Sequence, residues 1–291
     1  DLLPADEAWH AAAERLLPGT SADETSQQRA RWRSAASPVS APADDVLLAI
    51  CALPGHGRRA AWEAALAGRC GECSVELLPG LLLTGGGLEM LGEEERKVVE
   101  RTRIGAEEAL IAGLLPPSPR PELGVAVSVA ALRGLALRPG YAPRRAEAAA
   151  VLAELLAERA AAGQLPAKAV VRSLQAGAAL RLTPRPALLR ALAASAGALT
   201  ATELLAALRL LRGEGPALRA ADCEAELGAA ATRAMSRLRS SRQAWELDAL
   251  CRALGLDLGE VEPVAAADAA EDEQHHAPAS DPPAGRARGE R

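Results

Sequence analysis

The chain contains no phenylalanine and no asparagine, and only one tyrosine, four tryptophans and two lysines (Lys97 and Lys168) among 291 residues. Strands are built largely from aromatic and β-branched side chains, so an aromatic content of 2% argues against a mostly β fold. The depleted residue types are those of AT-rich codons, while the abundant Ala, Gly, Arg and Pro belong to GC-rich ones. Arginine in place of lysine is therefore not in itself a mark of phosphate recognition. Long apolar runs are also missing. The nearest candidate, Leu123 to Leu137, is short and carries Gly124, Arg133 and Gly134, so no transmembrane helix is expected. Five cysteines make an odd set without the spacing of a small disulfide domain, which favours free thiols in a reducing compartment, the cytosol or an organelle interior. The first residue is Asp1 rather than Met, as in a processed form or a fragment.

What remains is helix-forming material. Ala alone is roughly a quarter of the chain, and Ala, Leu, Arg and Glu lead the helix propensity scale. Helix-sized blocks punctuated by Pro and Gly run from Ala5 to Leu17, Ala43 to Leu53, Arg58 to Leu66 and Glu93 to Leu115. Leu77 to Leu91 is ambiguous between a helix end and a buried turn. Beyond Pro121 the pattern predicts helices near 121–136, 143–162, 166–180, 184–196, 200–212, 219–238 and 242–254. Thr183–Pro184 reads as a cap followed by a first-turn proline. Thr200 with Glu203 reads as a capping box. Pro143 and Pro166 fall in first turns, and Gly213 and Gly255 suit C-terminal caps. Glu93, Glu94 and Glu95 suit the positive end of a helix dipole. Trp62 and Trp245 are expected to anchor local packing, and Trp9 to dock an N-terminal helix.

Four segments follow. Residues 1–42 hold a short helix and a poorly ordered linker. Residues 43–117 form an irregular helical region, residues 118–258 a helical-repeat domain, and residues 259–291 a disordered acidic and Pro/Gly/Arg-rich tail. His275 and His276 lie in that tail. The expected fold is all-α: an irregular α-solenoid of antiparallel helix pairs with disordered termini.

Charge is unevenly distributed. Residues 1–117 carry 11 basic and 18 acidic side chains, residues 118–258 carry 19 and 12, and residues 259–291 carry 3 and 8. Within 165–213, seven basic residues face Glu203 alone. Arg133, Arg172, Arg181, Arg185, Arg190, Arg209 and Arg212 are the candidate phosphate-binding set, and a stripe of them would bind electrostatically and with strong salt dependence. The other reading is a solvated face in which Arg serves as the generic cation.

Ala-Ala-Leu-Arg occurs at 130–133, 178–181 and 206–209, each time near the end of an expected helix and shortly before a Pro- or Gly-containing turn. A looser copy is Ala249–Leu250–Cys251–Arg252. The frame is carried by Leu132, Arg133, Leu135 and Leu137, then Leu180, Arg181 and Leu182, then Leu208, Arg209 and Leu211, and finally Leu250, Arg252 and Leu254. It resembles the degenerate helical repeats of organellar proteins, the octotricopeptide-type and FAST-kinase-like leucine-rich families, over about half the chain. That resemblance implies single-stranded RNA binding in a mitochondrion or chloroplast. The aromatics that commonly interleave such repeats are missing here, and no base-reading residue can be matched.

Chemistry of other kinds has thinner support. Cys70-Gly-Glu-Cys73, with Cys51 and His56, gives a Cys-x4-His-x13-Cys-x2-Cys spacing that would suit a tetrahedral zinc site. A redox pair would need a βαβ setting, which the pattern lacks. Two free thiols beside a glycine turn is the third possibility. Gly85–Gly86–Gly87 lacks the Lys-Ser/Thr of a phosphate loop. Ser173, Ser195 and Ser236 fall inside helical blocks, and no nucleophile–base constellation stands out. The sequence therefore points to a non-catalytic scaffold without a required cofactor. Single-stranded RNA is the first expected partner, and a protein–protein adaptor or structural subunit of a larger complex is the alternative. An enzyme using Cys70 and Cys73 ranks last.

Overall fold

The computed structural model describes residues 41–52, 62–83, 92–118, 121–138, 140, 142–238 and 240–259. The expectations for the two termini, with Trp9, His275 and His276, and those for His56 and Gly85–Gly86–Gly87 fall outside those residues. Among the described residues the chain is all-helical and contains no strand.

The helices are α1 (Ala43–Ala52), α2 (Leu78–Leu83), α3 (Glu93–Leu114), α4 (Val125–Ala136), α5 (Pro143–Ala161), α6 (Ala167–Ala179), α7 (Pro186–Ser195), α8 (Ala201–Leu210), α9 (Gly215–Ala220), α10 (Glu224–Met235) and α11 (Ser241–Leu254). Local chemistry sets most of their ends. At the start of α8 the Thr200 hydroxyl accepts the Glu203 N–H at 3.2 Å, while the Glu203 carboxylate accepts the Thr200 N–H at 2.9 Å. Glu95 caps α3 in the same way, taking the Gly92 N–H at 3.1 Å. Pro143 occupies the first turn of α5. Gly255 closes α11 in the left-handed region at φ 75°.

Several boundaries differ from the sequence reading, and α4, expected from about 121, begins at Val125 with Gly124 as its cap. Helix α7 begins at Pro186 with Arg185 as its cap, not at Thr183–Pro184. The segment before it runs extended, because the residue preceding a proline is pushed out of the helical region. Pro166 caps α6 from outside instead of opening it. The single helix expected over 219–238 is two, α9 and α10, because Asp222 turns left-handed at φ 55° and the Cys223 N–H closes back on the Leu218 carbonyl. Aspartate is among the few residues that visit that region readily. Leu218 and Cys223, both buried, hold the turn against the core.

The helices interlock in two rows. Helix α2 packs on α4, α4 on α6, α6 on α8 and α8 on α11. In the second row α3 packs on α5, α5 on α7 and α7 on α10. Rows join through sequential neighbours such as α4 with α5 and α6 with α7, and α9 wedges between α7 and α11. Small residues set the spacing. A Cβ on Gly134 of α4 would lie 2.8 Å from Leu82 Cβ of α2, and one on Gly228 of α10 would strike the Asp257 carbonyl. One continuous apolar cluster runs from Ala43 to Leu256, with Leu47, Leu78, Leu110, Leu132, Leu152 and Leu189 fully buried along it.

A buried ion cluster ties α3 to the α4–α5 connection. Glu107 receives Arg138 Nε at 2.9 Å and Arg145 Nε at 2.5 Å. Arg138 also grips Glu100 at 2.7 Å, and Arg145 donates to the carbonyls of Arg138 and Gly140. Both arginines and Glu107 are about nine-tenths removed from solvent. Hydrogen bonds offset the desolvation that such a burial costs.

Candidate functional site

A cavity lined by two of the seven candidate arginines lies where α6 and α8 end and α7 begins. Its volume is about 350 Å³. Leu132 of α4, Leu174 of α6, Leu188 of α7 and Leu210 and Leu211 at the end of α8 form its apolar walls. The C-terminal halves of α4, α6 and α8 thus converge on one space. Small side chains leave it open: Ala153, Gly177 and Ala178 face a region that larger residues would fill. A Cβ on Gly177 would meet nothing nearer than Leu182 Cβ at 4.0 Å. Polar groups line the remainder, namely Arg181, Thr183, Arg185, Ser173 and Glu214. The Ser173 hydroxyl is already committed, donating to the Ala169 carbonyl at 2.7 Å.

Arg181 occupies an unusual backbone position. It follows α6 at φ 57°, with its own N–H on the Ala178 carbonyl and the Leu182 N–H on the Gly177 carbonyl at 2.8 Å. This is the double closure that glycine normally makes at a helix end, as Gly163 does after α5 and Gly255 after α11. A side chain there costs roughly 1–2 kcal/mol of backbone strain. The residue is exposed and lines the cavity mouth.

The other arginines are dispersed around this centre. Arg185 also lines the cavity, and its guanidinium pairs with Glu154 of α5 at 3.0 Å. Arg212 is exposed one residue beyond the Leu211 wall. Arg190 is exposed on α7, with its charge near Cys223. Among the described residues, Arg181, Arg190 and Arg212 enter no ion pair. Arg209 is held by Glu246 of α11 through two hydrogen bonds of 2.7 Å, which keep the Glu246 carboxyl below the usual carboxylate range. Arg172 is half-buried on α6, its charge near Glu203. Arg133 is half-buried in the last turn of α4. So Arg181 and Arg185 meet at one cavity with Arg212 beside it, while Arg133, Arg172, Arg190 and Arg209 are not brought to it.

The tetrapeptide repeat is equivalent in two of its three copies. Ala131 and Leu132 of α4 match Ala207 and Leu208 of α8, each pair buried ahead of its arginine. In α6 the same letters run off the helix: Ala178 and Ala179 are exposed, Leu180 is the cap and Arg181 is the left-handed residue. The looser copy ends at Arg252, which pairs with Asp248 on its own helix at 2.7 Å.

The cysteines take structural positions. All five are free and buried. Cys70 opens a short 3-10 turn, Cys70–Glu72, and its thiol donates to the Thr102 carbonyl at 3.4 Å. Burial pushes the Cys70 thiol up to about 11; burial and the nearby Asp44 push Cys73 up to about 12. Thiols so protonated at neutral pH are poor nucleophiles. The Cys51 thiol sits against Gly80 of α2, 3.3 Å from where a Cβ would lie, and that of Cys70 sits similarly against Gly105 of α3. Among the described residues no three His, Cys, Asp or Glu side chains are grouped to hold a metal ion.

Two features were not legible in sequence. Glu214 follows α8 in an ordinary turn, and only the cavity shows that it lines the same space as Arg181 and Arg185. Trp245 was expected to anchor packing but is 72% exposed on α11, next to the Arg209 partner Glu246. Trp62 does pack, 5% exposed. The core side of α11 is supplied instead by Leu247, Leu250 and Leu254, which leaves position 245 on the outer face. Among the described residues no helix is long and apolar enough to cross a membrane. No family model, curated protein or solved structure matches the chain.

Proposed function

We propose that this chain is a non-catalytic binding scaffold, a solenoid of antiparallel helix pairs that holds single-stranded RNA on an arginine-bearing surface. The two interlocking rows of helices support the solenoid reading, because α2 to α6 each pack on the second helix along as stacked hairpins do. The parallel convergence of the ends of α4, α6 and α8 on one cavity fits the same arrangement.

The observation that carries the RNA reading is uncompensated positive charge. Of the seven basic side chains of 165–213, Lys168, Arg185 and Arg209 pair with Glu203, Glu154 and Glu246, and Arg181, Arg190 and Arg212 are left without an ion pair among the described residues. Cations without protein partners at a solvent face are available to phosphates. The lack of aromatics in this stretch fits backbone recognition more than base stacking. The resemblance to organellar helical-repeat proteins adds a mitochondrion or chloroplast as the setting.

The experiment is direct. Fluorescence anisotropy with a labelled single-stranded oligoribonucleotide at low salt should give saturable binding. Arg181→Glu with Arg212→Glu should weaken it at least tenfold while the far-ultraviolet circular dichroism is unchanged. Absence of binding at low salt, or indifference to the double substitution, defeats the reading. The adaptor alternative rests on the exposed Trp245, since a solvent-facing tryptophan is a common interface anchor.

A further inference from the structure

We propose that the cavity between the ends of α6 and α8 receives one nucleotide, with its phosphate on Arg181 and Arg185 and a guanine edge on Glu214. The proposal rests on the RNA reading for its polymer, but the cavity makes a claim of its own. About 350 Å³ lies at the lower end of the ~300–1,000 Å³ range of small-ligand sites, large enough for a single nucleotide and too small for a folded partner.

The chemistry of the lining divides into three parts. The leucine walls offer an apolar slot for a planar base. Arg181, without an ion pair among the described residues, and Arg185, whose Nη2 also pairs with Glu154 at 3.0 Å, supply the cations for a phosphate, and a planar guanidinium meets phosphate oxygens in pairs. Arg181 holds its place at a backbone angle that glycine would occupy without strain. Glu214 is the third part. Its carboxylate only accepts hydrogen bonds, and among the described residues no side chain pairs with it. Guanine presents two adjacent N–H donors, at N1 and at the 2-amino group, which match two carboxylate oxygens. Uracil presents one N–H between two carbonyls, which a carboxylate repels. A ligand with a negative tail and a donor-bearing base therefore satisfies both charges of the cavity at once.

The test uses the full chain with GMP and UMP in isothermal titration calorimetry, alongside a labelled decauridylate with and without one central guanosine. GMP should bind at least tenfold more tightly than UMP, and the central guanosine should strengthen oligomer binding by a similar factor. Gly177→Leu fills the cavity from α6 and should abolish both preferences while leaving salt-dependent decauridylate binding intact. Glu214→Gln should reduce both. Gly177→Ala keeps most of the space and controls for folding. Equal affinity for GMP and UMP, or a preference that survives Gly177→Leu, overturns the pocket while the scaffold reading stands if decauridylate still binds. A GMP preference without any oligomer binding keeps the pocket and removes the RNA scaffold.

Discussion

At the scale of single residues, Arg181 is the most informative side chain. Three other closures of the same kind follow α5, α9 and α11, and they use Gly163, Asp222 and Gly255, residues that tolerate left-handed backbone. Arginine is the poor choice among the four for stability, and the good choice only if its cation is wanted there. Arg181→Gly is accordingly expected to raise the free energy of unfolding by about 1 kcal/mol, read from urea denaturation, and to weaken RNA binding in the same preparation. A variant that is less stable, or that binds as before, would remove Arg181 from the site. The sequence flagged Arg181 by charge and by its repeat, yet nothing in a string of letters told it apart from Arg209. The difference is where each helix stops. Arg209 is still inside α8 and reaches Glu246, whereas Arg181 lies past the end of α6. The Cys70–Cys73 spacing says nothing of burial, and burial is what raises both thiols.

At the scale of elements, helix boundaries were legible wherever a side chain does the capping. Thr200 with Glu203, the glutamates opening α3, and Gly255 all act as their chemistry requires. The break between α9 and α10 was not legible, since Ala220–Ala221–Asp222 contains neither proline nor glycine and the turn depends on burying Leu218 and Cys223. The capping box of α8 also sets a pH response. The Glu203 carboxyl is held below its ordinary value of 4.5, first by the Thr200 backbone N–H, then by its hydroxyl. A lowered carboxyl stabilises the fold above the unfolded-state value, and that stabilisation is lost as pH falls through the folded-state value. Glu203→Gln should therefore give a stability curve that falls less steeply than the parent below about pH 4.5, in paired denaturant titrations. At neutral pH, Thr200→Ala should cost about 1 kcal/mol by removing the acceptor for the Glu203 N–H. Parallel pH curves for parent and Glu203→Gln would show that the cap contributes nothing to acid sensitivity.

At the scale of the whole molecule, the all-helical character followed from the composition itself, because Ala and Leu without aromatics leave few other ways to build a core. The order of helices in two rows did not follow. It depends on close approaches at Gly134 and Gly228 and on the Glu107 cluster, whose partners lie 31 and 38 residues away. The apolar core runs unbroken from α1 to Leu256, and α6 and α8 pack together so that their ends meet at the cavity. The charge imbalance of 165–213 is thereby displayed on a scaffold held by its neighbours on both sides. The measurement that tests this account most directly is the salt dependence of single-stranded RNA affinity for the parent chain and for Arg181→Gln with Arg212→Gln. Each phosphate contact on a single strand contributes a slope of about −0.7 in log affinity against log salt. The account predicts a clearly negative slope for the parent and one shallower by about 1.4 in the double variant, two contacts having been removed. A slope near zero in the parent, or identical slopes in both proteins, would contradict it.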